Sequence, residues 1–372
     1  MPRSLTSSAT FFCLFLHAGT GLVQAAVHGE GDGPAPISYV YSANQIDGNL
    51  SAFKIDAEHN TFSEVPGSPY ATGAFPVSVK TSPNGKFVYV VNQGSHNVSV
   101  LRVEHDSGRL HPIAGSPFPA GKYPDAITIT PDGHFAFVTN EDDNMAIVFE
   151  LDSETGAMTR VDKQSRTDKH PISVNVSPNG RFAFVSNFDA STVTAYRVSE
   201  KTGALESVGK PVPTDDKPIY TTVSPDNRFL FVANYGSVTV SAFTINQDTG
   251  VLTEVAGSPF MAGAQPYSVT VNPTGTHLYA ANWGSHDISA FAIDATTGAL
   301  KEIAGSPYKT DWYPYAVVID PTDHYAFVAN NGAGNIGVYM IDEVSGALKQ
   351  MDGSPFPSGK GPYSLSVGSG VE

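Results

Sequence analysis

Ser82-Pro83-Asn84-Gly85, then Lys86, then Phe87-Val88-Tyr89-Val90-Val91-Asn92, is the stretch on which the fold turns. Proline presets φ at the second position of a tight turn, and Asn-Gly tolerates the backbone that completes it. The six residues after Lys86 are β-branched or aromatic up to a terminal Asn, which is the composition of a strand. Working outward, Val77 to Thr81 reads as a strand entering the turn and Asn97 to Val103 as a third strand. Gly108 marks the turn into a fourth at Arg109 to Ile113, and Gly115-Ser116-Pro117-Phe118 follows.

This unit repeats along the chain. Aromatic-rich segments ending in Asn recur at Tyr41–Asn44, Tyr89–Asn92, Phe137–Asn140, Phe184–Asn187, Phe231–Asn234, Tyr279–Asn282 and Phe327–Asn330, with Asn-to-Asn spacings of 48, 48, 47, 47, 48 and 48. The turn glycine recurs as Gly108, Gly156, Gly203, Gly250, Gly298 and Gly346; the first unit has Asn60 there, the non-glycine residue that best tolerates positive φ. Gly-Ser-Pro-aromatic recurs from Gly67, Gly115, Gly257, Gly305 and Gly353, while the third and fourth units have diverged at that point. A period near 48 with four strands per unit predicts an all-β, seven-bladed β-propeller. The chain starts on a second strand at Ser38–Asn44 and ends on a lone first strand at Tyr363–Val367. The last strand is therefore expected to join the three N-terminal ones, closing the ring and removing open sheet edges.

Composition fits this reading. The 372 residues include 35 Gly and 27 Pro, a frequency hostile to helices, yet 41% are hydrophobic and 15% charged, which excludes a disordered chain. The net charge of −15 argues against nucleic acid and anionic membranes as partners, since phosphate contacts need clustered Lys and Arg.

The N-terminus reads as an address. Arg3, an apolar run from Ala9 to Val23 and small residues around Val23-Gln24-Ala25 predict a secretory signal peptide over residues 1–26, followed by a flexible lead-in over 27–36 and the propeller over 37–370. Cys13 is the one cysteine and lies in the leader, so packing, not disulfides, must hold the exported domain. The expected location is secreted or periplasmic, with no membrane span after cleavage, and the expected state is a monomer.

The YVVN and FVTN segments, with their Ser-Pro-Asn-Gly and Pro-Asp-Gly turns, resemble YVTN-type repeats of the lactonase-like seven-bladed propellers, the family of 6-phosphogluconolactonase and the carboxymuconate cyclases. The likeness spans about residues 37–370 and lies in turns and strand cores. It implies hydrolysis of a lactone, with a His and Arg residues near the starts of first strands and a Glu after the second-strand Asn. Here the residue after the Asn is acidic once, at Glu141. The residue after the first-strand Pro is Val77, Asp125, Ile172, Ile219, Tyr267, Tyr315 or Tyr363, never His or Arg.

Candidate residues come from the face that carries the loops between second and third strands and the blade-to-blade linkers. Opening a lactone needs a base for water and a positive or hydrogen-bonding group for the oxyanion. Glu141 or Asp125 would be the base, with His170, Lys169 or Arg166 at the oxyanion; the plain alternative is that these are solvated loop charges. Tyr235, Trp283, Trp312 and Tyr315 would form an aromatic platform for a small-molecule or carbohydrate-like ligand, or for a protein. Glu141-Asp142-Asp143-Asn144 offers oxygens but lacks the spacing of a Ca²⁺ loop, so neither metal nor cofactor is expected. The seven repeated Asn side chains are expected to close strand–loop junctions. Two functional alternatives stand beside hydrolysis: a non-catalytic propeller binding a glycan, peptide or protein, and a purely structural repeat protein.

Overall fold

A computed structural model describes residues 38–369. The expected signal peptide and the lead-in fall outside the described residues. Every regular element described is a strand, and the strands form seven antiparallel sheets. Blade 1 is Ser38–Asn44, Asn49–Asp56 and Thr61–Glu64 joined by Pro362–Ser369; blades 2 to 7 begin at Pro76, Pro124, Pro171, Pro218, Pro266 and Pro314. In blade 2 the strands are Pro76–Thr81, Phe87–Asn92, Asn97–Val103 and Leu110–Pro112, close to the sequence reading. The ring closes as expected: Ser38 pairs with Ser369 and the ladder runs to Asn44 opposite Pro362.

The second strands are buried along their whole length in every blade, because neighbouring blades cover both faces. Their alternating side chains feed interblade clusters, such as Tyr89, Val91, Ala136 and Val138 between blades 2 and 3. The turn glycines explain themselves at this interface. Gly156 has φ of 77°, and a Cβ there would stand 2.5 Å from the Phe87 ring of the preceding blade. Asn60 holds the same conformation at φ 49°, and its Oδ1 accepts the Tyr325 hydroxyl at 2.6 Å.

The fourth strand departs from the simple reading. In six blades it is split, and a two-residue piece such as Tyr70–Ala71 or Phe118–Pro119 pairs separately with the third strand. In five of them Gly-Ser-Pro makes the break, and its Ser Oγ accepts the third-strand N–H, Ser116 from Val100 at 2.9 Å for example, whereas blade 4 is split at Val208-Gly209-Lys210-Pro211 without the motif. Blade 3 lacks the motif, and its fourth strand runs unbroken from Met158 to Arg166.

Six of the seven repeated Asn residues act as expected; Asn140 instead donates its Nδ2 to the Val138 carbonyl of its own strand at 3.0 Å. Asn92 Nδ2 donates to Asn97 Oδ1 at 2.8 Å and Ser99 Oγ at 2.9 Å, fastening the loop onto its strand. Similar pairs form at Asn44, Asn187, Asn234 and Asn282.

Candidate functional site at the channel mouth

Three backbone positions recur at the loop face of each blade. The residue before the first-strand Pro is left-handed in all seven: Phe75, Tyr123, His170, Lys217, Gln265 and Tyr313 have φ between 51° and 60°, and Gly361 has 70°. Its carbonyl accepts the N–H of the residue after the repeated Asn at 2.8–3.0 Å, His170 from Phe188 and Lys217 from Tyr235 among them. A β-bulge follows the Pro in every first strand: pairing slips by one between Pro and the second residue beyond it in six blades, and between Pro124 and Ile127 in blade 3. Bulges re-aim side chains. Here Asp125, Ile172, Ile219, Tyr267, Tyr315, Tyr363 and Val77 line a central cavity of about 320 Å³.

On blades 3 and 4 these positions hold an acid–imidazole chain. His170 Nε2 meets Glu141 Oε1 at hydrogen-bonding contact, and Nδ1 meets Asp189 Oδ2 at 3.0 Å. Glu141 and His170 side chains are only 20% and 27% exposed, so their contact is partly shielded from water. Burial raises the Glu141 pKa, and the facing His170 pulls it back down. Asp125 is buried, and desolvation followed by repulsion from Glu141 pushes its carboxyl up to about 8. The structure thus brings together Glu141, His170 and the Asp125 environment.

Aromatic rings continue the arc. His170 lies 5.4 Å from Phe188, Phe188 6.1 Å from Tyr235, and Tyr235 5.7 Å from Tyr267 and 6.2 Å from Trp283. Tyr267, Tyr315 and Tyr363 pack together, and the Tyr267 and Tyr363 hydroxyls are hydrogen-bonded. Burial raises the pKa of both well above the ordinary tyrosine value. Trp312 stands apart, 65% exposed and stacked on His286 at 6.3 Å. Arg166 and Lys169 are exposed and form no ion pair among the described residues, so they do not join the acid–imidazole chain.

Two members escaped the sequence reading. Asp189 follows Phe188 in the blade 4 loop and orients His170. Lys217 is the blade 5 counterpart of His170, and its ammonium lies 5.6 Å from the centre of the Phe188 ring. The signal for Lys217 was its place immediately before a first-strand Pro, the same place as His170. The paired His96 and His286 are structural: each Nδ1 accepts the N–H of the left-handed linker residue, Tyr123 or Tyr313, at 3.1 Å. Asn144 does the same for His170 at 2.8 Å, and Asp143 accepts Lys122 N–H at 3.1 Å. Oxygens of the acidic run are thus already engaged, and no metal-holding group of acids and histidines occurs among the described residues.

Seven similar sheets around a channel, with loops and bulges converging at one mouth, define a seven-bladed propeller with a polar–aromatic site. The chain belongs to the lactonase family of seven-bladed β-propellers, whose model matches residues 17–123, 113–220, 193–259, 220–310 and 256–363. It shares its fold with a putative 6-phosphogluconolactonase from Bacteroides uniformis (TM-score 0.78, 20% identity, 89% of this chain and 99% of that one). A putative 6-phosphogluconolactonase from Bacteroides fragilis is as similar (0.78, 20%, 91% and 99%). The periplasmic gluconolactonase of Pseudomonas aeruginosa follows (0.75, 19%, 90% and 99%). No curated protein matches the chain in sequence.

Proposed function

We propose that this chain is an exported hydrolase of an uncharged lactone, acting at the channel mouth between blades 3 and 5. The observation that carries the reading is the Asp189–His170–Glu141 chain, part-buried beside an aromatic floor. Glu141 takes a proton from water, and the water oxygen adds to the lactone carbonyl. Lys217 faces the negative charge that develops on the carbonyl oxygen. The ring C–O bond then breaks, and the proton that Glu141 took from the water passes to the departing alkoxide, leaving a hydroxy acid. Asp189 keeps His170 Nδ1–H occupied so that Nε2 serves the reaction. Asp142 and Asp189, with Glu141, make the mouth repel a phosphorylated substrate. A periplasmic gluconolactonase of the same fold and the leader-like N-terminus support an exported location.

The test is turnover of uncharged γ- and δ-lactones by the chain without its leader, compared with Glu141→Gln and His170→Ala. Hydrolysis by the wild type and a loss in both variants is expected; hydrolysis unchanged by both would overturn the site. A second reading rests on Trp312, exposed on the same face and stacked on His286. If no lactone is opened, but a glycan or peptide binds and Trp312→Ala abolishes that binding, the propeller is a binding module.

A further inference from the structure

The central channel contains a charge that the mouth does not use. Lys80 is the fourth residue after Pro76 on the first strand of blade 2 and lines the cavity of about 320 Å³. The same place holds Thr128, Asn175, Thr222, Thr270, Val318 and Ser366 in the other blades. Those six are uncharged and short, so the propeller builds this ring without a lysine. Burial lowers the Lys80 pKa, with no neighbouring charge acting on it. Among the described residues it has neither an ion pair nor a side-chain hydrogen bond.

A half-buried ammonium on the channel wall with no protein partner attracts a counter-ion. The cavity lining offers one carboxyl, Asp125, and burial keeps that acid protonated through neutral pH. The neighbouring first strand of blade 1 brings the Ser364 and Ser366 hydroxyls against the Lys80 strand, where Thr81 also lines the cavity, among apolar residues such as Val79 and Val367. Thr81 and Ser366 share a hydroxyl–hydroxyl bond of 2.9 Å, and either can turn its proton inward. The space exceeds the roughly 30 Å³ share of one water several-fold, so a few-atom anion fits with its waters.

We propose that the channel is a binding site for a small monovalent anion, chloride or a short carboxylate, held by the Lys80 ammonium and the surrounding hydroxyls. The site is independent of the lactone chemistry at the mouth. It is tested by calorimetric titration of chloride and of acetate into the full folded chain, at an ionic strength fixed by a bulky sulfonate salt. Bromide-soaked crystals locate the site by anomalous scattering. Saturable binding of at least one anion is expected, with a bromide peak in the channel beside Lys80. Lys80→Thr, which copies blades 3, 5 and 6, weakens binding by about tenfold or more, near 1.4 kcal/mol. Lys80→Arg keeps the charge and retains it. Chloride alone binding would define a halide site, and acetate alone a carboxylate site. Equal affinity in wild type and Lys80→Thr, no saturable binding of either anion, or bromide only on the outer surface would overturn the proposal. Should Lys80→Thr not fold, the bromide position in the wild-type chain decides by itself.

Discussion

Blades 3 and 4 and blades 5 to 7 use the same three backbone positions and make opposite surfaces from them. On the first side the bulge, the left-handed linker residue and the post-Asn residue give Asp125, His170 and Glu141. On the other they give Tyr267, Tyr315, Tyr313, Tyr235 and Trp283. The repeat therefore decides where a side chain is presented, and the residue at three positions per blade decides what chemistry is presented there. An acidic wall faces an aromatic wall across one mouth because the repeat is loose at these positions and strict elsewhere.

The comparison breaks most directly at the acidic wall. Glu141→Gln and His170→Ala should each lower kcat for lactone opening by about 10²–10⁴, the usual worth of a positioned proton-transfer group, with thermal melting little changed. Next in size is Asp125→Asn, read by melting temperature against pH. The folded protein holds a proton on Asp125 up to about pH 8, which the unfolded chain releases in the ordinary carboxylate range. Wild-type stability therefore falls as pH rises from that range to about 8, then levels. Asn cannot ionise, so the variant should gain several kcal/mol over wild type, up to about 6, above pH 8 and lose that advantage under acid conditions. Parallel pH curves for the two proteins would place Asp125 in water, not beside Glu141, Tyr267 and Tyr363.

The remaining changes sharpen the comparison. Lys217→Met should cost about tenfold in kcat/KM, roughly 1.4 kcal/mol, because one facing charge is lost while the stem still covers Phe188. Unaltered kinetics would move the oxyanion elsewhere on the arc. Trp312→Ala should be smallest: stability within about 0.5 kcal/mol, as for other exposed positions, and small-lactone turnover within about twofold. A tenfold loss there would mean that the aromatic wall belongs to the reacting site.

Much of the fold could be read before any coordinates. The Asn spacing, the Ser-Pro-Asn-Gly turns and the lone C-terminal strand specify blades, strands and closure, because turns and buried second strands have strong local chemistry. The site was legible in part. Glu141, His170 and Asp125 sit at repeat positions whose residues break the pattern, so they could be singled out. What could not be read was their geometry. Left-handed φ is normally announced by Gly or Asn, but here Phe75, Tyr123, His170, Lys217, Gln265 and Tyr313 adopt it because their carbonyls cap the next loop. Lys217 and Asp189 were missed for that reason: only the curled linker brings them against Phe188 and His170. The split fourth strand was hidden likewise: Gly-Ser-Pro-aromatic was legible as a repeat, but not that its serine hydroxyl accepts the third-strand N–H in place of a backbone carbonyl.

Closure by Pro362–Ser369 also sets an order of events in time. Ser38–Asn44 is among the first strands to be synthesised, and its inner partner is the last. Until that partner arrives, blade 1 carries an open inner edge with buried-type residues on both faces, while the six blades between them can already pack. A nascent or truncated chain is thus a chain with one adhesive edge. The eight residues Pro362–Ser369 cover that edge once they pair with Ser38–Asn44.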